Sequence, residues 1–358
     1  MRLVHAVFAS LIIVPSAVAQ TQLSAENAYN PIPSPDGKKI VAVRTGWFRP
    51  GGSGGLGRSN LQSSVIVLDR TGHTLTTLTE GFVADWKKEG VVSFRDWSYS
   101  LLSEDGSSRE GGRTCPPEIL PARASECMER VAYLSTLGNF VWIRQNWVRQ
   151  KWVDSVLVTP QGEFSPHYKE KSLGEWLAPS PDERYIAAGP GTLSKSLTIY
   201  DSREKVWHDL GPVVIHPDAD WTWMEPSWNP WFADGSHLVF FTSDGLTVST
   251  PDGKQRRVLV RPEDPAGLAV PSPDGRAIAY ATFAGAPRPN GGGTPPTFHT
   301  TGIWIVDVEA GSQPRRLTGP TVSSTYDLRW LDNQHLVFDR IEQLRLPKAQ
   351  LWVVAADR

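Results

Sequence analysis

The sequence predicts an all-β protein, a single β-propeller of seven four-stranded blades closed by its own N-terminal strand. Three observations carry that expectation. One phrase recurs: residues 32–42 read IPSPDGKKIVA, 178–188 read APSPDERYIAA and 270–280 read VPSPDGRAIAY. Its copies, with weaker ones between them, fall at the spacing of one propeller blade. The chain also holds 31 Gly and 29 Pro, the excess of a turn-rich β protein.

The clear copies place Asp36, Asp182 and Asp274 in a Ser-Pro-Asp turn ahead of an apolar strand. Two weaker copies turn at Asp234 (SWNPWFADGSHLVFF) and Asp332 (LRWLDNQHLVFDR). Two degenerate ones turn near Glu89 (ADWKKEGVVSF) and Glu129 (CMERVAYLS). Successive turns lie 40 to 58 residues apart. Because blades two and three match poorly, six blades plus an irregular segment is the alternative.

Within a repeat, the turn joins strand a to strand b, and two further strands, c and d, follow. The first repeat supplies KIVAVRT, SSVIVLD and TLTTLTE for b, c and d. The fifth supplies HLVFFTS, GLTVST and RRVLV, and the sixth AIAYATF, GIWIVDV and RRLTG. Alternating or continuous apolar residues with β-branched enrichment fit closely packed strands. The seventh repeat stops after its third strand, LWVVAA at 351–356. Residues 20–30, QTQLSAENAYN, precede the first strand a and are expected to supply the missing outer strand, which removes the open sheet edges.

The phrase Pro-Ser-Pro-Asp-Gly-(Lys/Arg)-x-Ile, a second strand, an Asp-Gly type turn and RRLT resemble the TolB-like, WD-like propeller repeats. That family includes the periplasmic TolB component and the propeller domains of prolyl-oligopeptidase-like enzymes. The resemblance spans essentially the whole chain after its leader and implies the propeller fold; the fold hosts many roles and implies no single function. The chain departs from TolB itself in two ways. No separate α/β domain precedes the repeats, and seven turn markers outnumber that family's six blades.

The leader is MRLVHAVFASLIIVPSAVAQ. A short basic start, an apolar run over residues 6–14 and the small-x-small Ala17-Val18-Ala19 read as a secretory signal over 1–19, cut after Ala19. No cysteine sits near that point, so a lipid anchor is not indicated. Residues 20–358 are then the propeller domain, periplasmic or secreted, with a monomer the expected state. Cys115 and Cys127 fit export: they bracket PPEILPARASE and are expected to pair as a disulfide. Two thiols twelve positions apart, with no His between them, give a metal site weak support.

Each repeated aspartate suits a tight turn, where its side chain bonds nearby amides and Gly takes positive φ. Such turns lie apart around a ring, on the face opposite the b–c and d–a loops, so these aspartates do not converge on one ligand. The long insertions are GWFRPGGSGGLGRSNLQ (46–62), the cysteine segment (109–128), GPVVIHPDADWTWMEP (211–226) and AGAPRPNGGGTPPTFHT (284–300). All four map to the b–c/d–a face, the candidate binding surface. Its candidate residues are Arg44, Trp47, Arg49, Arg58, Asp220, Trp221, Trp223, Glu225, Arg288 and His299, a mixture of aromatic, guanidinium and acidic groups suited to an interface. Trp47, Trp221 and Trp223 serve recognition or core packing equally well. Trp86, Trp228, Trp304, Trp330 and Trp352 sit in or beside strands and are expected to pack blades.

Other chemistry is thin. GGSGG at 51–55 matches Gly-x-Ser-x-Gly, but Ser53 lies in a glycine-rich loop with no strand-to-helix elbow and no α/β domain after it. His216, Asp218 and Asp220 share one loop and would chelate a cation weakly; a solvated acidic loop is the expected reading. No phosphate-binding loop, dinucleotide fingerprint, calcium loop or basic cluster occurs. A net charge of −2 gives no pull toward nucleic acid, and no apolar run is long enough for a spanning helix. No cofactor or metal is expected. Two functions remain: a scaffold binding a protein or cell-envelope component, or a propeller lyase or hydrolase acting on a carbohydrate polymer through Asp220, Glu225 and Arg44.

Overall fold

The computed structural model describes residues 20–23, 27–45, 63–95, 98–114, 127–148, 151–169, 173, 176–189, 195–216, 228–285, 298–309, 311–342 and 348–356, with backbone alone at 45, 127–130, 145–148 and 151–153. Among them every regular element is a strand, and the strands form seven antiparallel sheets in chain order. The protein is a seven-bladed β-propeller, and the six-blade alternative falls.

Blade one is Ala28–Pro33, Lys39–Thr45, Ser63–Asp69 and Thr74–Glu80. Its b, c and d strands coincide with the sequence expectation. Blade two is Phe82–Lys87, Gly90–Arg95, Ser98–Leu102 and Ser108–Arg113. Blade four is Leu177–Pro179, Tyr185–Ala188, Ser196–Asp201 and Val206–Pro212. Blade six is Ala266–Pro271, Ala277–Ala284, His299–Asp307 and Arg315–Arg316. In blade five the inner strand shrinks to one bridge, Trp231 to Leu238, ahead of Leu238–Thr242, Gly245–Ser249 and Arg256–Val260.

Blade three departs from expectation. The segment Cys127–Leu134 is itself strand a, so Glu129 lies inside a strand and the turn is at 135–138, before Asn139–Val148. Strand c is Lys151–Thr159, and two short pieces, Gly162–Glu163 and Tyr168–Lys169, pair along its outer edge. The apolar run Val-Ala-Tyr-Leu is the inner strand, not the second one, because nothing resembling Pro-Asp-Gly marks where it turns.

Blade seven consists of Leu328–Asp332, His335–Glu342 and Lys348–Ala355, with Gln20–Gln22 as its outer strand. Gln20, Thr21 and Gln22 stand opposite Val354, Val353 and Trp352. The closure is therefore real but shorter than expected, since residues 28–30 of the proposed segment belong to strand a of blade one.

The core lies in the clefts between consecutive blades. Val92, Tyr99, Val131 and Phe140 pack between blades two and three, and Leu134, Ile143, Ile186 and Tyr200 between three and four. Indoles tie inner strands together. Trp228 donates to the Ala269 carbonyl (2.6 Å), Trp231 to Ala178 (2.9 Å) and Trp330 to Val270 (3.0 Å). A buried indole N–H needs an acceptor, and inner strands, which pair on one side only, have carbonyls to offer. Trp86, Trp228 and Trp330 are buried, the packing role the sequence suggested.

Candidate functional site

Connections differ sharply between the two faces. On the a–b/c–d face the longest a–b turn is 232–237 and the longest c–d turn is 308–314. On the other face blade one breaks between strands b and c over 46–62, and blade six over 285–298. Strand d leads to strand a over 114–126 between blades two and three, and over 213–227 between blades four and five. The flanking strands put all four long connections on one face. Trp47, Arg49, Arg58, Asp220, Trp221, Trp223, Glu225, Arg288 and Cys115 lie outside the described residues, as does the side chain of Cys127.

Two of the candidates are described. His299 opens strand c of blade six, half-buried. Arg44 sits near the end of strand b of blade one, and its guanidinium reaches outward across strand c to Thr77 Oγ1 on strand d (3.3 Å). That direction takes it away from the ring centre, where the enzyme reading needed it.

Between blades four, five and six the loop face holds a cleft of about 710 Å³ lined by Lys195, His216, Asp244, Arg261, Glu263 and Asp264, among others. His216 is buried, stacked on Tyr326 (4.5 Å) and edge-on to Phe283 (4.5 Å). Burial pulls its pKa down to about 3, with a backbone hydrogen bond at Thr325 opposing. It is a neutral ring within the core rather than a loop ligand. Among the described residues no three His, Cys, Asp or Glu side chains gather as a metal-binding set.

The central channel holds a cavity of about 750 Å³, lined by strand a of every blade and reaching the a–b turns. Blades seven, one and two contribute Arg329, Asn30, Asp85 and Lys87 beside Tyr29, Phe82, Trp86 and Trp330; blades four, five and six contribute Trp176, Trp228, Trp231, Pro179 and Pro271 beside Asn229 and Ser272. Lys87 Nζ lies 3.3 Å from Asp85 and 3.9 Å from Glu183. Burial works against its charge, but the two carboxylates prevail and raise its pKa. Burial lowers the Arg329 pKa against the opposing charges of Asp327 and Asp85. Toward the loop face, Asp339 is fully buried and accepts from the amides of Tyr326 (2.7 Å) and Asp327 (3.0 Å). Burial, with the Asp327 charge beside it, pushes its pKa well up.

The sequence reading passed over these channel groups, though a signal existed. Trp86, Trp231 and Trp330 hold one register position, opposite Val91, Leu238 and Leu336. The residue before each is Asp85, Pro230 or Arg329, and alternation gives that residue the other face of the strand.

The turn aspartates sit where the repeats put them. Asp36, Asp182 and Asp274 each accept from the serine two residues before (2.7, 2.6 and 2.6 Å) and from the amide two residues after (3.1, 3.3 and 3.1 Å). Asp234 and Asp332 accept from the amides of Ser236 (2.9 Å) and Gln334 (2.7 Å).

Comparison with known proteins bears on the fold. The chain is similar to the β-propeller domain of Cps50 (Swd1) from Myceliophteria thermophila, at 12% identity and a TM-score of 0.55, over 93% of this chain and 98% of that one. It is similar to an oligogalacturonate lyase in complex with manganese at 13% identity and a TM-score of 0.56, over 96% and 95% of the two chains. At such identity the likeness shows the propeller fold alone. No family model matches the sequence. No curated protein matches it either. No described helix is long and apolar enough to cross a membrane.

Proposed function

We propose that this chain is an exported, TolB-like binding propeller that holds a protein or cell-envelope component on its b–c/d–a face, without covalent chemistry of its own. The observation that carries this reading is the asymmetry of the connections: tight turns on one face, and all four long insertions on the other. A rigid ring that elaborates one face concentrates its variable, adaptable surface there. The inserted sequences hold Trp47, Arg49, Arg58, Trp221 and Trp223, residue types that dominate interface energetics. Export is supported by the leader's composition. Cleavage after Ala19 also leaves Gln20, the first residue of the closing strand, in place.

The test is capture from an envelope extract by the wild-type chain and by the Arg49→Ala/Trp221→Ala double variant. The expected outcome is a partner retained by the wild type and reduced about tenfold or more in the variant, the loss of one to two interface anchors. The variant's melting temperature should be unchanged. Equal capture by both proteins, or none by either, removes the reading.

A further inference from the structure

The outer strand of blade three is made of two short pieces, Gly162–Glu163 and Tyr168–Lys169, with residues 164–167 between them. This segment reaches two blades. Toward blade three, Phe164 and Ser165 donate their amides to the Leu157 carbonyl (2.7 and 3.3 Å), and Ser165 Oγ accepts from the Leu157 amide (2.9 Å). Toward blade four, Tyr200 donates its hydroxyl to the Phe164 carbonyl (3.1 Å), and the Trp207 indole donates to Pro166 (2.9 Å). The Tyr168 and Trp207 rings lie 5.5 Å apart, and the Tyr168 hydroxyl donates to Asp209 (3.2 Å). Segment 162–169 therefore straps the cleft between the two blades at the rim of the ring.

One histidine closes the strap. His167 Nδ1 lies 3.0 Å from Asp154 Oδ2 on strand c, and Nε2 lies 3.2 Å from Glu163 Oε2, four residues back. Both partners are carboxylate oxygens, which accept and do not donate when ionised. A neutral imidazole carries one N–H and one lone pair, so it satisfies one contact and turns a lone pair toward the other. Only the imidazolium donates at both. The Arg144 guanidinium, bonded to Glu163 Oε1, and then His167 lower the Glu163 pKa and keep that carboxyl ionised. The bond to Asp154 first, and that to Glu163 after it, raise the His167 pKa against an opposing desolvation.

The neighbouring charges decide which contact yields. Strand b contributes Arg144, strand c Asp154, and the outer pieces Glu163 and Lys169, the latter opposite Asp154. Blade four presents Asp209, bonded to Tyr168, while His208, opposite Ile199, takes the other face of its strand. With His167 charged, it and Arg144 balance Asp154 and Glu163. When the second proton leaves, Asp154 keeps the remaining N–H, because its side chain is 16% exposed against 46% for Glu163 and its bond is less screened. The Glu163–His167 contact is the one that opens, and Glu163 retains Arg144.

We propose that segment 162–169 is a pH-operated clasp, closed across blades three and four while His167 is an imidazolium and loosened at the Glu163–His167 contact when the second proton leaves. The clasp is fully closed below the ordinary imidazole pKa, about 6.5, and loosens as pH rises through the higher value of the folded state. Loosening uncovers the Leu157 peptide on the outer edge of strand c, the kind of edge that pairs with another chain. The clasp lies on the rim and does not depend on what the loop face binds.

The experiment follows the His167 ring by its NMR signals, and the Phe164 and Leu157 amides by hydrogen exchange, on the purified full chain between about pH 5.5 and pH 9. In the wild type the ring should titrate above about pH 6.5. Amide protection, corrected for intrinsic exchange, should fall about two- to fivefold as it does so, the size of a partly exposed ion pair. His167→Gln keeps one donor and one acceptor but does not titrate, so it should show the lower protection at every pH. Glu163→Gln removes one carboxylate and should bring the His167 titration down toward the ordinary value. The Ile66 and Val67 amides of blade one should keep their protection in both variants, which separates a loosened clasp from a weakened ring. A wild-type ring that titrates at or below about pH 6.5 overturns the proposal. So does wild-type protection that does not change with pH, or a pH step that survives in His167→Gln.

Discussion

Glu183 shows how a single position repairs a weak blade. It stands fourth in the blade-four turn, where the matching turns have Gly37, Gly235 and Gly275. All four have left-handed backbone, with φ of 57°, 67°, 68° and 70° in that order. For a residue with a side chain this conformation costs about 1–2 kcal/mol. The carboxylate more than offsets that. It accepts from the amides of Ser135 and Thr136 and from Thr136 Oγ1, each at 2.8 Å, and lies 3.9 Å from Lys87. The blade-three turn has no aspartate of its own, so the next blade supplies the acceptor. Glu183→Gly relieves the backbone but opens this tie. Hydrogen bonds to a charged group are each worth about 1.5–3 kcal/mol, so the variant should be less stable by about 1–3 kcal/mol in chemical unfolding. An equally stable or more stable variant means that backbone strain outweighs the bonds.

At the scale of elements, the Ser/Thr-Pro-Asp turn behaves as a portable unit. Thr250-Pro251-Asp252-Gly253 joins strands c and d of blade five, yet Thr250 Oγ1 and the Lys254 amide bond Asp252 (2.6 and 3.1 Å) just as Ser34 and the Lys38 amide bond Asp36 (2.7 and 3.1 Å). The same contacts on a different connection mark a local device rather than a repeated ligand. These bonds lower the pKa of Asp36 and of Asp252 to about 2, the neighbouring hydroxyl being the first cause in each case. A carboxylate depressed in the folded state stabilises above its unfolded pKa, about 4, and that stabilisation is lost as pH falls toward 2. In Asp36→Asn/Asp252→Asn the acceptor oxygen remains but the titration does not. Urea midpoints measured between about pH 4 and pH 2 should therefore fall less steeply for the variant than for the wild type. Parallel slopes would show that these turns do not prefer the ionised form. Legibility followed the same turns. Where Pro-Asp-Gly marks the corner, as in blade one, the strands coincide with the sequence reading; where blade three has Ser-Thr-Leu-Gly, strand a was mistaken for strand b. The channel wall left only a faint mark, the residue before each of Trp86, Trp231 and Trp330, because which face of strand a meets the axis is decided only when seven blades close; Arg329 and Asp85 therefore look like ordinary strand residues.

Closure itself was legible because it is a matter of counting: the seventh repeat lacks one strand, and the chain has a spare segment at its other end. The geometry makes the seam more than a strand pairing. Leu23 donates its amide to the Leu351 carbonyl (2.8 Å), Asn27 Oδ1 accepts from the Ala349 amide (2.6 Å), and Arg340 bonds Gln20 Oε1. Leu23 is buried with Leu68, Leu331, Val337 and Leu351, which joins blades seven and one. Arg70 in blade one forms an ion pair with Asp332 in blade seven. Gly72, at φ 89°, lies so close to Leu23 that a Cβ there would stand 1.5 Å from its carbonyl oxygen. Removing residues 20–23 deletes one buried leucine, about 2–3 kcal/mol, and several hydrogen bonds of about 1 kcal/mol each. For a chain of this size that corresponds to a melting temperature lower by about 5–15 °C. The deletion also uncovers the outer edge of Lys348–Ala355, a template for pairing with another chain. Calorimetry should show the lower transition, and light scattering should show association growing with concentration. Gly72→Ala, which leaves every strand residue present but forces the seam apart, should reproduce part of the thermal loss. If the deleted chain melts with the wild type and stays monomeric, the ring is held by its blade-to-blade clefts and the N-terminal strand is an accessory to it.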